Sequence, residues 1–158
     1  MATYANIVVS PQPRGRFLEC QMASGETAYP GMCIQIVPGA ALVDNRPTYR
    51  LADIAADGEL SEIIIVCEDD LQGVDVDTAY AAAARVKAYI PLPGDEVQVL
   101  FNNVSGTADD VAVGDKVIVD DDTGKFNVTT GTPEDEPFIA LEAITDPTAD
   151  TLFLVRRL

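Results

Sequence analysis

The chain has 158 residues, with 26 Asp and Glu against 10 Lys and Arg, no histidine and three cysteines, for a formal net charge of −16. That length suits one domain burying about 68–70% of the surface its unfolded form exposes, so no disulfide or metal staple is required. A body this anionic repels phosphate backbones and anionic lipid, which excludes nucleic acid and membrane as expected partners.

The charge is unevenly placed: residues 1–50 carry four basic and three acidic side chains, whereas residues 51–158 carry six and 23. Cys20, Cys33 and Cys67 form no CxxC pair and have no histidine to complete a zinc set, so they read as small buried apolar residues in a reducing compartment. The first residues lack the order of a secretory leader, and no apolar run approaches the ~18 residues of a membrane span. The expectation is a soluble protein made in the cytoplasm.

In chain order, MATYANIVVSPQPRGRFLEC comes first. Pro11, Pro13 and Gly15 argue for an extended segment without ladder bonds of its own, so residues 1–20 are expected to form an N-terminal arm and 21–158 a single β-rich domain. Tyr4, Ile7, Val8, Val9, Phe17 and Leu18 give the arm apolar anchors, and Arg14 and Arg16 can pair with carboxylates on another surface. The competing reading is an N-terminal strand packed on its own barrel.

Beyond residue 30 the apolar period is two. GMCIQIV (31–37), EIIIVC (62–67), RVKAYI (85–90), DEVQVLF (95–101), KVIV (116–119), KFNV (125–128), PFIALEA (137–143) and TLFLVRR (151–157) are short, rich in β-branched and aromatic residues, and separated by turn formers. They predict an all-β fold, a small barrel or sandwich of short antiparallel strands. The only helical composition is DTAYAAAAR, so at most one short helix is expected around 77–85, with Asp77 as its cap. PGDEVQV (93–99) and VGDKVIV (113–119) repeat Gly-Asp-x-Val-x-Val, and PGMCIQI (30–36) is a looser copy. Each reads as a turn feeding a strand, with glycine at positive φ and the aspartate bonding backbone beyond it.

Two acidic stretches invite a cation. In DDDTGKFNV, counting an EF-type loop from Asp120 puts Gly124 fifth, Lys125 sixth and Gly131 twelfth, so the ligand register fails. A hairpin loop with Gly124 in the left-handed conformation is the better reading. Residues 68–77 cluster Glu68, Asp69, Asp70, Asp75 and Asp77, enough oxygen for a divalent ion if the loop folds back, and the bland alternative is a solvated acidic loop. The serines have no histidine and no Gly-x-Ser-x-Gly elbow, and neither GxxxxGK nor GxGxxG occurs. The reading is therefore no enzyme, no cofactor and no metal. A cation-dependent host- or carbohydrate-binding module using the 68–77 loop is the alternative, which a calcium titration without heat at millimolar concentration would dismiss.

VCEDDLQGVDVDTAYAAAARVKAYIPLPGDEVQVL (66–100), VAVGDKVIVDDDTGKF (111–126), FIALEAIT (138–145) and LFLVRRL (152–158) together resemble the small head-associated structural proteins of tailed bacteriophages. The similar features are the acidic E-D-D-L-x-G loop before a D-x-A-Y segment, the two G-D-x-V lead-ins, and an A-x-E-A strand followed by a basic C-terminal one. Where a glycine is expected after Tyr-Ala-Ala, this chain has Ala83 and Ala84, which favours a brief helix over a tight turn. The resemblance implies a capsid decoration, or cement, protein on the outer head surface of a virion, with the major capsid protein as partner and a homo-oligomer, a trimer by preference, as its bound form. Tyr4, Arg14, Arg16 and Phe17 are then the expected capsid contacts, with edge strands joining the copies.

Overall fold

The computed structural model describes residues 6–53, 62–102, 110–120, 123–128, 137–145 and 149–158. Among these the protein is all-β. Its ten strands are β1 (Arg16–Met22), β2 (Cys33–Ile36), β3 (Thr48–Leu51), β4 (Ile64–Val66), β5 (Arg85–Ile90), β6 (Glu96–Phe101), β7 (Lys116–Val119), β8 (Phe126–Val128), β9 (Phe138–Ala140) and β10 (Thr151–Arg157). They form two five-stranded sheets packed together, each closing on itself, in the orders β1-β3-β2-β4-β5 and β10-β6-β8-β7-β9.

Closure with five strands explains a departure from the purely antiparallel expectation. Directions cannot alternate around a ring with an odd number of members, so at least one neighbouring pair must run parallel. Each sheet has one such pair, β1 with β3 and β6 with β8. Closure leaves few free strand edges among the described residues, the places at which copies were expected to join.

The burial pattern follows from this packing. In the first barrel, Cys20, Met22, Ile34, Ile64, Val66, Val86 and Ala88 fill the interior. The intervening Cys33, Ile65 and Tyr89 point outward, yet they are buried in a second core that continues through Val97, Val99, Phe101, Phe126, Phe138 and Phe153 of the other barrel. The unbroken apolar run of EIIIVC is thus a strand covered on both faces, not an alternating one. Edge-to-face ring pairs, Phe101 with Phe153 and Phe126 with Phe138, each at 5.7 Å between centroids, pack the second barrel.

Backbone bonds cross the junction between the barrels: Leu100 N–H donates to Gly31 O (3.0 Å) and Cys33 N–H to Gly124 O (2.6 Å). Both glycines have positive φ, +89° and +67°. A Cβ at Gly124 would stand 2.6 Å from Cys33 O, and one at Gly31 would stand 2.9 Å from Leu100 N. Neither position admits a side chain without separating the barrels.

The repeated Gly-Asp unit is one turn used three times. Met32, Asp95 and Asp115 donate their N–H to the carbonyl three residues earlier, at Tyr29, Leu92 and Ala112 (3.1, 2.9 and 3.1 Å). The glycine before each has φ between +89° and +97°, the requirement of a type II turn. The aspartates bond backward, however, and not to the backbone beyond: Leu92 N–H donates to Asp95 Oδ2 (2.9 Å) and Ala112 N–H to Asp115 Oδ2 (2.7 Å). In the loose copy the Met32 sulfur takes the same place, 3.2 Å from Tyr29 N.

The short helix expected around 77–85 is absent. Tyr80 bridges Ala28, and its buried hydroxyl donates to Cys67 O (2.8 Å), which draws the segment into the first barrel. Nine residues of favourable propensity cannot outweigh that anchoring. Asp75, and not Asp77, makes the local cap, accepting from Thr78 Oγ1 (2.6 Å) and Asp77 N–H (3.2 Å). The chain then turns through Ala81–Ala84 with Ala84 N–H on Ala81 O, and Ala83 at φ +58°. An alanine there carries the left-handed penalty that a glycine avoids. Ala83→Gly should therefore raise stability by roughly 1 kcal/mol, seen as an increase in Tm of about 2–4 °C in a thermal melt.

Candidate functional site

Residues 6–15 run as a strap along the junction between the barrels. Ile7 is wholly buried. Val8 bridges Val97, Gln98 N–H donates to Ile7 O (2.7 Å), and the N–H groups of Val9 and Ser10 both donate to Glu96 O. Side chains lock the same register: Gln98 Nε2 donates to Asn6 O (2.9 Å), and Glu96 N–H donates to Ser10 Oγ (2.6 Å). Ile7 N–H in turn donates to Glu68 Oε2 (2.9 Å). The strap covers the part of the β6 edge that β8, paired only at Phe101, leaves open.

Asp95 holds the far end of the strap. It is 1% exposed and accepts from four donors: the Tyr89 hydroxyl (2.6 Å) and the N–H groups of Arg14, Gly15 and Leu92 (each 2.9 Å). Burial pushes this carboxyl up, but the Tyr89 hydroxyl and the three N–H groups outweigh it and hold it below the ordinary carboxylate range. Burial, then the bond to Asp95, pushes the Tyr89 phenol up. Gly15 is required by space: a Cβ there would overlap Ile90 O and stand 2.7 Å from the Tyr89 ring.

Of the expected contact residues, Tyr4 lies outside the described residues, while Arg14, Arg16 and Phe17 flank this tie and are exposed. The Arg14 guanidinium donates to Pro93 O (3.2 Å) and has no carboxylate partner among the described residues. Arg16 pairs loosely with Glu62 (3.5 Å). Phe17, 51% exposed, tilts against Tyr89 at 4.9 Å between centroids, with Lys87 Nζ 5.3 Å from its own centroid. Residues 16–20 of the expected arm lie within β1, paired along their length with β5.

The acidic loops are built as turns. Asp120 accepts from Asn102 Nδ2 (2.7 Å), Thr123 Oγ1 (2.6 Å) and Asn127 Nδ2 (2.6 Å), and Gly124 takes the expected left-handed φ between β7 and β8; Asp121 and Asp122 lie outside the described residues. In the 68–77 loop, Asp69 and Val74 exchange backbone bonds, and the Asp69 carboxylate accepts from Leu71 N–H and Gln72 Nε2. No group of three metal-ligating side chains forms among the described residues. All three cysteines are free and buried, and burial pushes the thiols of Cys20 and Cys33 up to about 11 and about 12.

Tyr89 was not picked out by sequence reasoning, Gly15 was read only as part of an extended segment, and Asp95 only as the aspartate of a repeated turn. No protein-family model matches the chain, and no curated protein matches it.

Asp95→Ala should cost roughly 3 kcal/mol or more, because three backbone donors and a phenol lose a charged acceptor in a buried place. The folded pKa of Asp95 lies below its unfolded value, so its contribution is complete above about pH 5 and is lost as pH falls through the folded pKa. That of Tyr89 lies above its unfolded value, so its contribution is complete below about pH 9 and is lost as pH rises through the folded pKa. Urea titrations from pH 2 to 11 should show both flanks in the wild type and a flatter acid flank in Asp95→Ala.

Proposed function

We propose that this protein is a capsid decoration, or cement, protein of a tailed bacteriophage, docking on the outer surface of the assembled head and bridging major capsid subunits. The observation that carries the reading is the exposure of Arg14, Arg16 and Phe17. Two arginines and an exposed aromatic ring fall within four residues of the chain, next to backbone that Asp95 holds through the Arg14 and Gly15 amides, on a chain of net charge −16. Arginine and aromatic side chains are the residue types that dominate binding energy at protein interfaces. Holding them rigid beforehand removes part of the entropy cost of docking.

The mechanism is linkage. A protein that binds the finished shell and not its separate subunits shifts the equilibrium toward the shell by mass action. Modest contacts repeated over a symmetric lattice then add up. The acidic remainder faces water, and like charge keeps decorated particles apart.

Cosedimentation with emptied phage heads tests the reading. Wild-type protein should pellet with heads and remain in the supernatant without them. Arg16→Glu combined with Phe17→Ser should weaken the binding at least tenfold while leaving the thermal melt within a few degrees. Wild-type protein that stays in the supernatant with heads present would remove the proposal.

A further inference from the structure

Residues 6–10 meet the body of the protein in a slot along β6, and the bonds there are those of an added strand. Val8 pairs with Val97, Val9 N–H and Ser10 N–H donate to Glu96 O, Gln98 N–H donates to Ile7 O, and Ile7 is wholly buried. The slot therefore takes an extended segment with an apolar side chain at one position and a hydroxyl three residues on, where Ser10 Oγ accepts from Glu96 N–H.

The connector behind this segment is of a different kind. Pro11, Gln12 and Pro13 are exposed, and no hydrogen bond ties them among the described residues until the amides of Arg14 and Gly15 close on Asp95. Proline, and the residue before a proline, favour an extended course. The chain nevertheless bends at Pro11 and Gln12 to lay the strap on its own body. Short hinge loops of this kind invite exchange of the segment they carry.

Charge points the same way. The first acidic residue of the sequence is Glu19, so the strap carries none, on a chain of net charge −16. At the slot, the Glu68 carboxylate accepts from Ile7 N–H (2.9 Å), while that of Glu96 is paired with Arg156 (2.7 Å). The strap is thus a segment that can approach the anionic body of another copy without like-charge repulsion.

From the fit, the connector and the charge we infer that residues 6–10 exchange between copies: the connector straightens, and the strap of one copy fills the β6 slot of another while Arg14 and Gly15 stay on their own Asp95. Every bond of the slot is kept, so the closed and exchanged forms differ in the connector and in the entropy of association, and concentration decides between them. Reciprocal exchange gives a dimer, and exchange in one rotational sense gives a closed ring. The inference rests on the homo-oligomer of the decoration reading and deepens it, but its test needs no phage heads, so the two can fail separately.

Val8 and Val97 form a pair without direct backbone bonds between them, the kind whose Cα atoms lie about 4.5 Å apart, within reach of a disulfide. Full-length Val8→Cys and Val97→Cys proteins are mixed in equal amounts at millimolar concentration, passed through mild urea, returned to native buffer and oxidised, then alkylated and run on a denaturing gel without reductant. Exchange sets the new thiol of one protein against that of the other, so the mixture should yield at least tenfold more covalent two-chain species than either protein alone, whose native cysteines are all buried. A chain carrying both changes should link within itself at micromolar concentration. Sedimentation equilibrium of the wild type at millimolar concentration should show a multiple of 16.8 kDa, and Pro11→Gly with Pro13→Gly, which eases the bend, should lower the assembled fraction several-fold. A mixture that links no more than its components, a double variant that fails to link within itself, or a wild type that stays monomeric would each overturn the inference.

Discussion

A single buried carboxylate, in no ion pair among the described residues, sets the arrangement of this molecule. Asp95 is charged inside the protein because four donors converge on it, one phenol and three backbone N–H groups. Desolvation alone pushes its pKa up, and the donors outweigh it. Those donors come from the strap, from β5 and from the turn into β6, so one side chain fixes where three parts of the chain meet. The side chains of Arg14, Arg16 and Phe17 inherit their positions from that junction.

The two barrels are joined with comparable economy. Cys33, Ile65 and Tyr89 face away from one barrel and into the core of the other, so apolar burial is continuous across the boundary. Two glycines let backbone approach backbone there, and two backbone hydrogen bonds result. A module of this kind presents its surface groups without first having to order them, and a binding protein gains from that because ordering is among the largest costs of association. The closed sheets also offer few free strand edges among the described residues.

Much of the architecture was legible in the sequence. Eight of the ten strands fall in short runs rich in β-branched and aromatic residues between turn formers, most of them alternating, and β5, β7 and β10 coincide with the predicted ranges. The Gly-Asp repeat was readable because type II turns need glycine third, although the direction of the aspartate bond was not. β1 was legible only as the competing reading of an N-terminal strand on its own barrel, because Phe17 on its outward face disguised the alternation of Leu18, Cys20 and Met22 inward. β3 has only four residues after a proline, too few to show a period. The alanine run read as helix because local propensity favours it, while the Tyr80 anchor that decides against it is a tertiary contact. At the candidate site, Arg14, Arg16 and Phe17 stood out by residue type. Asp95 did not, since burial of one carboxylate among 26 acidic groups is fixed only when distant segments meet.

Native-state hydrogen exchange of individual amides tests the central claim most directly. If the strap belongs to the fold through Asp95, the amides of Arg14, Gly15 and Gln98 should exchange with protection comparable to that of β5 and β6, and Asp95→Asn should release Arg14 and Gly15 while Val86 and Ala88 stay protected. Arg14 and Gly15 amides exchanging at the rate of an unstructured peptide in the wild type, with β5 and β6 fully protected, would contradict it.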